Sequence, residues 1–183
     1  LCVESIFPQQ SRTARIKIEV SSAFQLPALH LIGLPGPEIQ EAKERIRSAL
    51  ASVELELPRR RVVVNLIPAE TRKHGTGLDL AMMLGILGHS DPDRFKRWKS
   101  PTSKSKLRIL TWGELGLSGD IRSCGYSFHL LLACVENPPD LLLVPHSQRE
   151  SILMGLQKLQ RLAFPDLQSR FESIRWIAAD HLS

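Results

Sequence analysis

The chain of 183 residues carries a formal net charge of +5, with 43% hydrophobic and 23% charged residues. This length favours a domain with a core large enough to need no disulfide or metal. The composition excludes a collagen-like repeat, a coiled coil and global disorder, and the longest apolar runs reach about half of the ~18 residues that a membrane helix requires. Cys2, Cys124 and Cys134 form no CxxC pair, which predicts reduced thiols, two of them in the core, in a cytoplasmic protein.

The first half of the chain predicts alternating strands and helices. Strict alternation predicts a half-buried strand over residues 13–20, and a second strand over 29–34 ends in a Gly-Pro turn. Apolar residues at helical spacing then predict an amphipathic helix over residues 38–53. A β-branched strand at 61–67, suited to the middle of a sheet, precedes a buried and almost wholly apolar helix at 78–87.

The second half predicts the same alternation after a polar and basic surface loop over residues 88–108. A strand at 107–112 and a hairpin at 115–122 follow this loop. The remaining predicted elements are a helix at 127–135, a strand at 141–144, a helix at 147–159, a strand at 162–164 and a helix at 166–171. No repeat is visible, so residues 1–183 are predicted to form a single domain of the α/β class, with helices and sheet in two layers.

Nucleotide and metal sites are not indicated by the sequence. A phosphate loop needs GxxxxGK[ST], in which backbone amides hold the phosphates and the lysine reaches the terminal ones. Neither glycine-rich stretch, 33–36 or 75–77, continues in this way, and Lys73 precedes its glycines. The six histidines include no HxxxH pair, and His30 and His129 are expected in the core or at its boundary. Only His74, in a glycine loop, is kept as a site candidate. We therefore expect no cofactor in this chain.

Two basic groups are candidate nucleic-acid contacts. The first is the run Arg59, Arg60 and Arg61. The second is a basic surface insertion at about residues 88–106, whose charges are interleaved with Phe95 and Trp98, a composition suited to gripping phosphates and stacking bases. Its candidate contacts are Arg94, Lys96, Arg97, Trp98, Lys99, Lys104 and Lys106. The alternative is a solvated insertion whose charge only maintains solubility.

Three blocks of the sequence carry a family resemblance. The first joins LPALHLIGLP at residues 26–35 to EAKERIRSAL at 41–50, and the second joins PRRRVVVNLIP at 58–68 to RKHGTGLDL at 72–80. The third is GELGLSGDIR at 113–122. In order and spacing, over about residues 12–180, they resemble the Mg-chelatase-like ComM/YifB family of AAA+ ATPases. Within the second and third blocks, the residues that we call the motif-loop residues are Arg72, Lys73, Gly75, Gly77, Asp79, Gly113, Glu114 and Gly119.

The resemblance implies the N-terminal, ChlI-type domain of those proteins. That domain is similar to the proteolytic domain of Lon and shares its fold with the second domain of a small-subunit ribosomal protein. The resemblance also implies that ATP and Mg²⁺ belong to a downstream AAA+ module, which this chain lacks. The expected partners are that module, further copies of the protein and DNA, with no membrane. The missing initiator Met favours a piece of a longer protein over a standalone relic.

The similarity to Lon raises a peptidase alternative. Lon activates a serine with a lysine, and both groups must lie within hydrogen-bond reach. The serine position falls at Gly77 and the lysine position near Ser127, while residues 123–148 contain no lysine or arginine. Thr76 offers a hydroxyl without a base. We therefore expect a non-catalytic accessory domain for oligomer contacts, coupling to the ATPase or DNA guidance. A peptidase, a phosphotransferase or a standalone nucleic-acid-binding module stays open as an alternative.

Overall fold

A computed structural model describes residues 1–9, 13–99, 105–161 and 171–182 of the chain. The strands in these residues are β1 (Cys2–Pro8), β2 (Thr13–Ala23), β3 (Ala28–Ile32), β4 (Arg61–Ile67), β5 (Arg108–Thr111), β6 (Glu114–Leu115), β7 (Ile121–Arg122), β8 (Leu141–Pro145) and β9 (Arg175–Ala179). The α-helices are α1 (Pro37–Ser52), α2 (Asp79–Ser90), α3 (Ser127–Glu136) and α4 (Arg149–Arg161). The predicted α/β class is confirmed.

Seven of these strands form one mixed sheet in the order β3-β4-β2-β1-β5-β8-β9. β2 runs antiparallel to both of its neighbours, β1 and β4, whereas the other pairs in the sheet are parallel. The predicted hairpin is confirmed as the separate pair β6–β7. No strand is predicted at β1 from the sequence, although β1 lies in the middle of the sheet.

The helices form where the sequence places apolar residues on one face. α1 begins with Pro37, whose φ suits the first helical turn, and Glu38 there favours the positive end of the helix dipole. Its buried residues are Ile39, Ala42, Ile46, Ala49 and Leu50. α2 is buried on nearly all sides and packs closely on β2, where a Cβ on Gly85 would lie 2.9 Å from Ile18. The buried apolar side chains of the described residues form one core.

Several predicted details differ from the structure. α2 continues to Ser90, and Phe95 is only 6% exposed. The first residues of the predicted insertion are therefore helical, and its aromatic residue anchors the segment in the core. Of the cysteines, Cys134 is buried whereas Cys2 and Cys124 are half-buried. The strand predicted at 162–164, and the predicted last helix apart from Phe171, lie outside the described residues.

Candidate functional site

The motif-loop residues meet at the edge of the sheet where β3 and β4 end. We call this region the motif edge and define it as residues 33–36, 72–79 and 113–115. The backbone NH of Gly36 donates to the carbonyl of Lys73 at 2.7 Å, and the NH of Lys73 donates to Leu34 at 3.1 Å. The NH of Gly113 donates to Gly77 at 2.9 Å. Three segments that are distant in sequence are thus joined by backbone hydrogen bonds.

Lys73 is buried at the centre of the motif edge, with 0% of the residue exposed. Its Nζ donates to the carbonyls of Gly33 (2.9 Å), Leu66 (3.0 Å) and Pro68. Burial lowers the pKa of the Lys73 ammonium, while the three carbonyls satisfy its three donors. Gly33 has φ +92°, and a Cβ there would lie 2.2 Å from the Leu66 carbonyl oxygen. The lysine therefore ties the ends of β3 and β4 together and is not presented to a ligand.

Asp79, at the start of α2, is buried and forms an ion pair with the half-buried Arg45 of α1. Arg45 Nε donates to Asp79 Oδ2 at 2.6 Å, and a second guanidinium nitrogen donates to Oδ1 at 3.1 Å. The NH of Leu115 lies 3.4 Å from Oδ2. Burial raises the pKa of Asp79 to about 6, although Arg45 opposes this shift. The pair connects α1, α2 and β6, so both of its members serve the packing of the motif edge.

Gly77 occupies the place that the resemblance assigns to a serine nucleophile. A Cβ on Gly77 would lie 2.3 to 2.4 Å from three ring atoms of Trp112, which is 3% exposed. The indole Nε1 donates to the carbonyl of Gly125 at 3.1 Å, which fixes the ring in this position. No side chain fits at residue 77 unless the ring moves.

A serine at residue 77 is therefore expected to destabilise the domain. We expect Gly77→Ser to lower the free energy of unfolding by about 2 to 3 kcal/mol, because overpacking of a rigid site forces the Trp112 ring or the backbone to shift. Urea unfolding measures this change, and incubation with casein tests for peptidase activity, which we expect to stay absent. Gly75→Ser is the matched control, since no heavy atom lies within 4 Å of its Cβ position. Its φ of +82° costs only local backbone strain. Equal stability of Gly77→Ser and the wild type would contradict this account.

The surroundings of Gly77 offer no activated nucleophile among the described residues. Thr76 Oγ1 lies 3.8 Å from the Sγ of Cys124. Burial raises the pKa of the Cys124 thiol to about 11, so this thiol is neutral at pH 7 and a poor nucleophile. Ser127, near the family's lysine position, is the first residue of α3. Gln148 instead reaches this region and donates to the Gly125 carbonyl at 2.7 Å.

The other motif-loop residues shape turns or lie at the surface. Gly75 (φ +82°) and Gly119 (φ +88°) adopt backbone conformations that favour glycine. Arg72 is exposed, and Glu114 is half-buried at the start of β6. Gly113 packs against Pro145, which lies 3.1 Å from its Cβ position. Within the described ranges, no three His, Cys, Asp or Glu residues could hold a metal together.

The predicted histidine positions are partly wrong. His74 is exposed and packs edge-on against Phe7, with 4.9 Å between ring centroids. His30, predicted to lie in the core or at its boundary, is exposed on β3, whereas His129 does lie at the boundary. His74 is thus the histidine of the motif edge, and its exposed ring packs against Phe7.

The basic insertion is less available to nucleic acid than its sequence predicts. Arg94 lies 3.6 Å from Asp91, and Lys96 lies 2.7 Å from Asp93. Both pairs are exposed and hold their geometry weakly, but they place a carboxylate beside each charge. Phe95 is buried, so its predicted role in base stacking is wrong.

The remaining residues of the insertion are unevenly placed. Trp98 is half-buried against Phe95, with 5.2 Å between ring centroids. The guanidinium of Arg97 lies over the Trp98 ring at 5.6 Å. Lys99 is half-buried and Lys106 is exposed, while Lys104 lies outside the described residues. The insertion therefore presents a folded aromatic pair with flanking charges, not a row of free basic and aromatic side chains.

The arginine run lies at the opposite end of β4 from the motif edge. Arg59 is exposed and pairs with Glu56, with 3.1 Å between Nη2 and Oε2. The guanidinium of Arg60 lies 4.8 Å from the ring centroid of Phe24, and Arg61 Nη1 donates to Gln25 at 3.2 Å. The structure thus adds Phe24 to this basic group. A single aromatic residue between Ala23 and Gln25 gave no signal of this contact in the sequence.

Comparisons with known proteins place the chain among the AAA+-associated Mg-chelatase relatives. The family model described as "Subunit ChlI of Mg-chelatase" matches residues 18–148. The chain is 31% identical to "Competence protein ComM" of Haemophilus influenzae over 143 residues, which cover 78% of the chain and 26% of that protein. It is 33% identical to "Uncharacterized protein YifB" of Salmonella typhimurium over 107 residues, 58% of the chain and 20% of that protein.

The chain belongs to the Mg-chelatase-like ComM/YifB family. It spans about a quarter or less of the length of these curated relatives. Across the ranges that the structure describes, no helix has both the length and the apolar character needed to cross a membrane.

Proposed function

We propose that this chain is a non-catalytic accessory domain of a Mg-chelatase-like AAA+ ATPase, with the Lon-like fold that the resemblance implies. In that role it contributes subunit contacts, couples to the ATPase ring or guides DNA in recombination and transformation. The partners are the AAA+ module of the same protein, further copies in an oligomer and DNA. ATP and Mg²⁺ belong to the AAA+ module, and the whole protein acts in the cytoplasm.

One observation carries this proposal: the motif-loop residues are committed to bracing the fold. Lys73 is held by three carbonyls, Asp79 by Arg45, and the space at Gly77 is filled by Trp112. Groups that served catalysis would have to reach a substrate, whereas these groups hold three loops in one rigid edge. A rigid edge is what a domain needs in order to transmit contacts to a neighbouring module.

The accessory role is tested in a chimera built on the Haemophilus influenzae relative. In this chimera, the chain described here replaces the matching region of the relative. The chimera is compared with a shortened relative from which that region has been deleted. We expect the chimera to keep the oligomer size and the ATP turnover of the intact relative, and the shortened protein to lose at least one of them. Light scattering measures the size, and phosphate release with and without DNA measures the turnover. Unchanged behaviour of the shortened protein would refute the accessory role.

A separate measurement tests whether the chain is catalytic. Calorimetric titration with ATP and Mg²⁺ is expected to give no binding heat, because the sequence contains no phosphate loop. Stoichiometric binding heat would show that the fold holds a nucleotide without that motif.

A further inference from the structure

The connection between β2 and β3 forms an exposed tip over the start of β4. β4 lies between β2 and β3, and both Ala23 and Ala28 pair with Arg61. Residues 24–27 must therefore cross the first residues of β4, which places them above the arginine run. We define the β2–β3 tip as Phe24, Gln25, Leu26, Arg60 and Arg61.

Two large apolar side chains of the β2–β3 tip point into water. Phe24 is 92% exposed and Leu26 is 88% exposed, which are the highest values among the large hydrophobic residues of the described chain. Leu117, which lies elsewhere on the chain, is 61% exposed. The fold gains almost nothing from either side chain in this position, since the hydrophobic contribution scales with the area removed from water. The apolar surfaces of Phe24 and Leu26 are therefore available to a ligand.

The charge of the β2–β3 tip is positive and largely uncompensated. In the part of the chain that the structure describes, no carboxylate lies within 4.0 Å of the guanidinium of Arg60 or Arg61. Glu56 pairs with the neighbouring Arg59. Arg60 covers one face of the Phe24 ring at 4.8 Å, and the exposure of the ring leaves its other face open. An aromatic face thus lies beside two guanidinium groups that have no carboxylate partner among the described residues, at the start of β4.

We propose that the β2–β3 tip binds single-stranded nucleic acid. One base stacks on the open face of Phe24, and Arg60 and Arg61 contact the flanking phosphates. A duplex fits less well, because its base faces are hidden within the stack. The basic insertion is the weaker candidate, since Phe95 is buried and Arg94 and Lys96 have carboxylates beside them. This inference deepens the DNA-guiding part of the proposed function and rests on it for the polymer class.

Fluorescence anisotropy with a labelled 15-nucleotide oligothymidylate tests the proposal on this chain. We expect the wild type to bind the strand at 50 mM salt and to bind a duplex of equal length more weakly. Phe24→Ala should lower the affinity roughly 10-fold, because stacking on one aromatic ring is lost, and Phe24→Trp should restore it. Arg60→Gln/Arg61→Gln should reduce the slope of log affinity against log salt by about 1.4, the value for two phosphates on a single strand.

Three matched controls separate the tip from general effects. Leu117→Ala removes an exposed apolar residue elsewhere, Lys43→Gln/Arg47→Gln removes two charges from α1, and Arg94→Gln/Arg97→Gln tests the basic insertion. Each should change the affinity less than 2-fold, and thermal melting checks that every variant is folded.

Four outcomes would overturn the proposal. They are no wild-type binding at 50 mM salt, equal affinity for strand and duplex, unchanged binding by Phe24→Ala, and loss of binding only in the insertion variant. Cosedimentation with vesicles containing 30% phosphatidylserine provides a further test, since Phe24-dependent vesicle binding without strand binding would assign the tip to a membrane surface. A chain that binds no strand but supports ATP turnover in the chimera would overturn this inference alone and leave the accessory role standing.

Discussion

Replacing Lys73 by methionine is expected to lower the free energy of unfolding by about 3 kcal/mol or more. The substitution keeps the apolar length of the side chain and removes the ammonium that three carbonyls share. Hydrogen bonds to a charged group contribute about 1.5 to 3 kcal/mol each, and the carbonyls left without a donor add their desolvation cost. Chemical denaturation followed by tryptophan fluorescence measures the change.

Lys158→Met is the matched control for this prediction. Lys158 is exposed on α4, so the same chemical change should alter the free energy of unfolding by no more than about 0.5 kcal/mol. If Lys73→Met lost less than about 1 kcal/mol, the lysine would not be the tie between β3 and β4. The measurement bears on function because a lysine that stabilises the fold costs stability when it is removed, whereas a lysine that only binds a ligand does not.

Removing Arg45 is expected to have a comparable effect that depends on pH. Arg45→Met leaves the buried Asp79 carboxylate with only the long contact from the Leu115 NH. Breaking a buried ion pair in this way costs about 3 to 5 kcal/mol, since an uncompensated charge remains in the core. We therefore expect a loss of about 3 kcal/mol at pH 7, measured by urea unfolding.

The loss caused by Arg45→Met should shrink as the pH falls. The pKa of Asp79 in the folded wild type is about 6, against an ordinary value of 3.8, and removing Arg45 raises it further because Arg45 lowers it. The folded carboxyl thus holds a proton more tightly than the unfolded one, so lowering the pH towards 4 favours the folded state. Because the pKa in the wild type is already raised, the wild type also gains stability as the pH falls through about 6. Only the further rise of the pKa in the variant separates the two proteins, so at pH 5 the variant should recover part of its loss relative to the wild type.

Two variants make this prediction decisive. Arg47→Met removes an exposed arginine from the same helix, and the partner of this arginine, Glu44, is also exposed. The free energy of unfolding should therefore change little at either pH. Arg45→Met/Asp79→Asn removes both charges, so its stability should not show the same recovery between pH 7 and pH 5. A recovery of equal size in the double variant would assign the pH dependence to another group.

Much of the fold follows from local patterns in the sequence. The alternation over β2 and the helical spacing over α1 are set by side chains that must face the core. The structure buries Ile16 and Ile18 of β2 and the apolar face of α1. β1 has no comparable pattern, because Ser5 is buried and donates to the carbonyl of Thr111 at 2.6 Å. Only the partner strand β5 makes this buried serine favourable. A strand in the centre of a sheet can thus be specified by neighbours that are more than 100 residues away in sequence.

The candidate residues divide in the same way. The motif blocks indicated that Lys73, Gly77 and Asp79 matter, but their chemical roles depend on contacts with residues outside their own block. The interactions of Lys73 with Gly33, and of Asp79 with Arg45, span 40 and 34 residues. A lysine and an aspartate beside glycines can bind a ligand or brace a fold, and only burial and partners distinguish these roles.

The sequence by itself determined the α/β class, the family and the absence of a phosphate loop, because each depends on residue types at short, fixed spacing. The tertiary structure decided which basic group is open to a ligand. The many cations of the insertion make it the obvious candidate as long as only composition is counted. In the structure, however, Phe95 packs into the core there and two carboxylates lie beside the cations. At the other basic group, β4 lies between β2 and β3, so the β2–β3 connection must cross the start of β4. This crossing brings Phe24 against Arg60, although 36 positions separate them in the sequence.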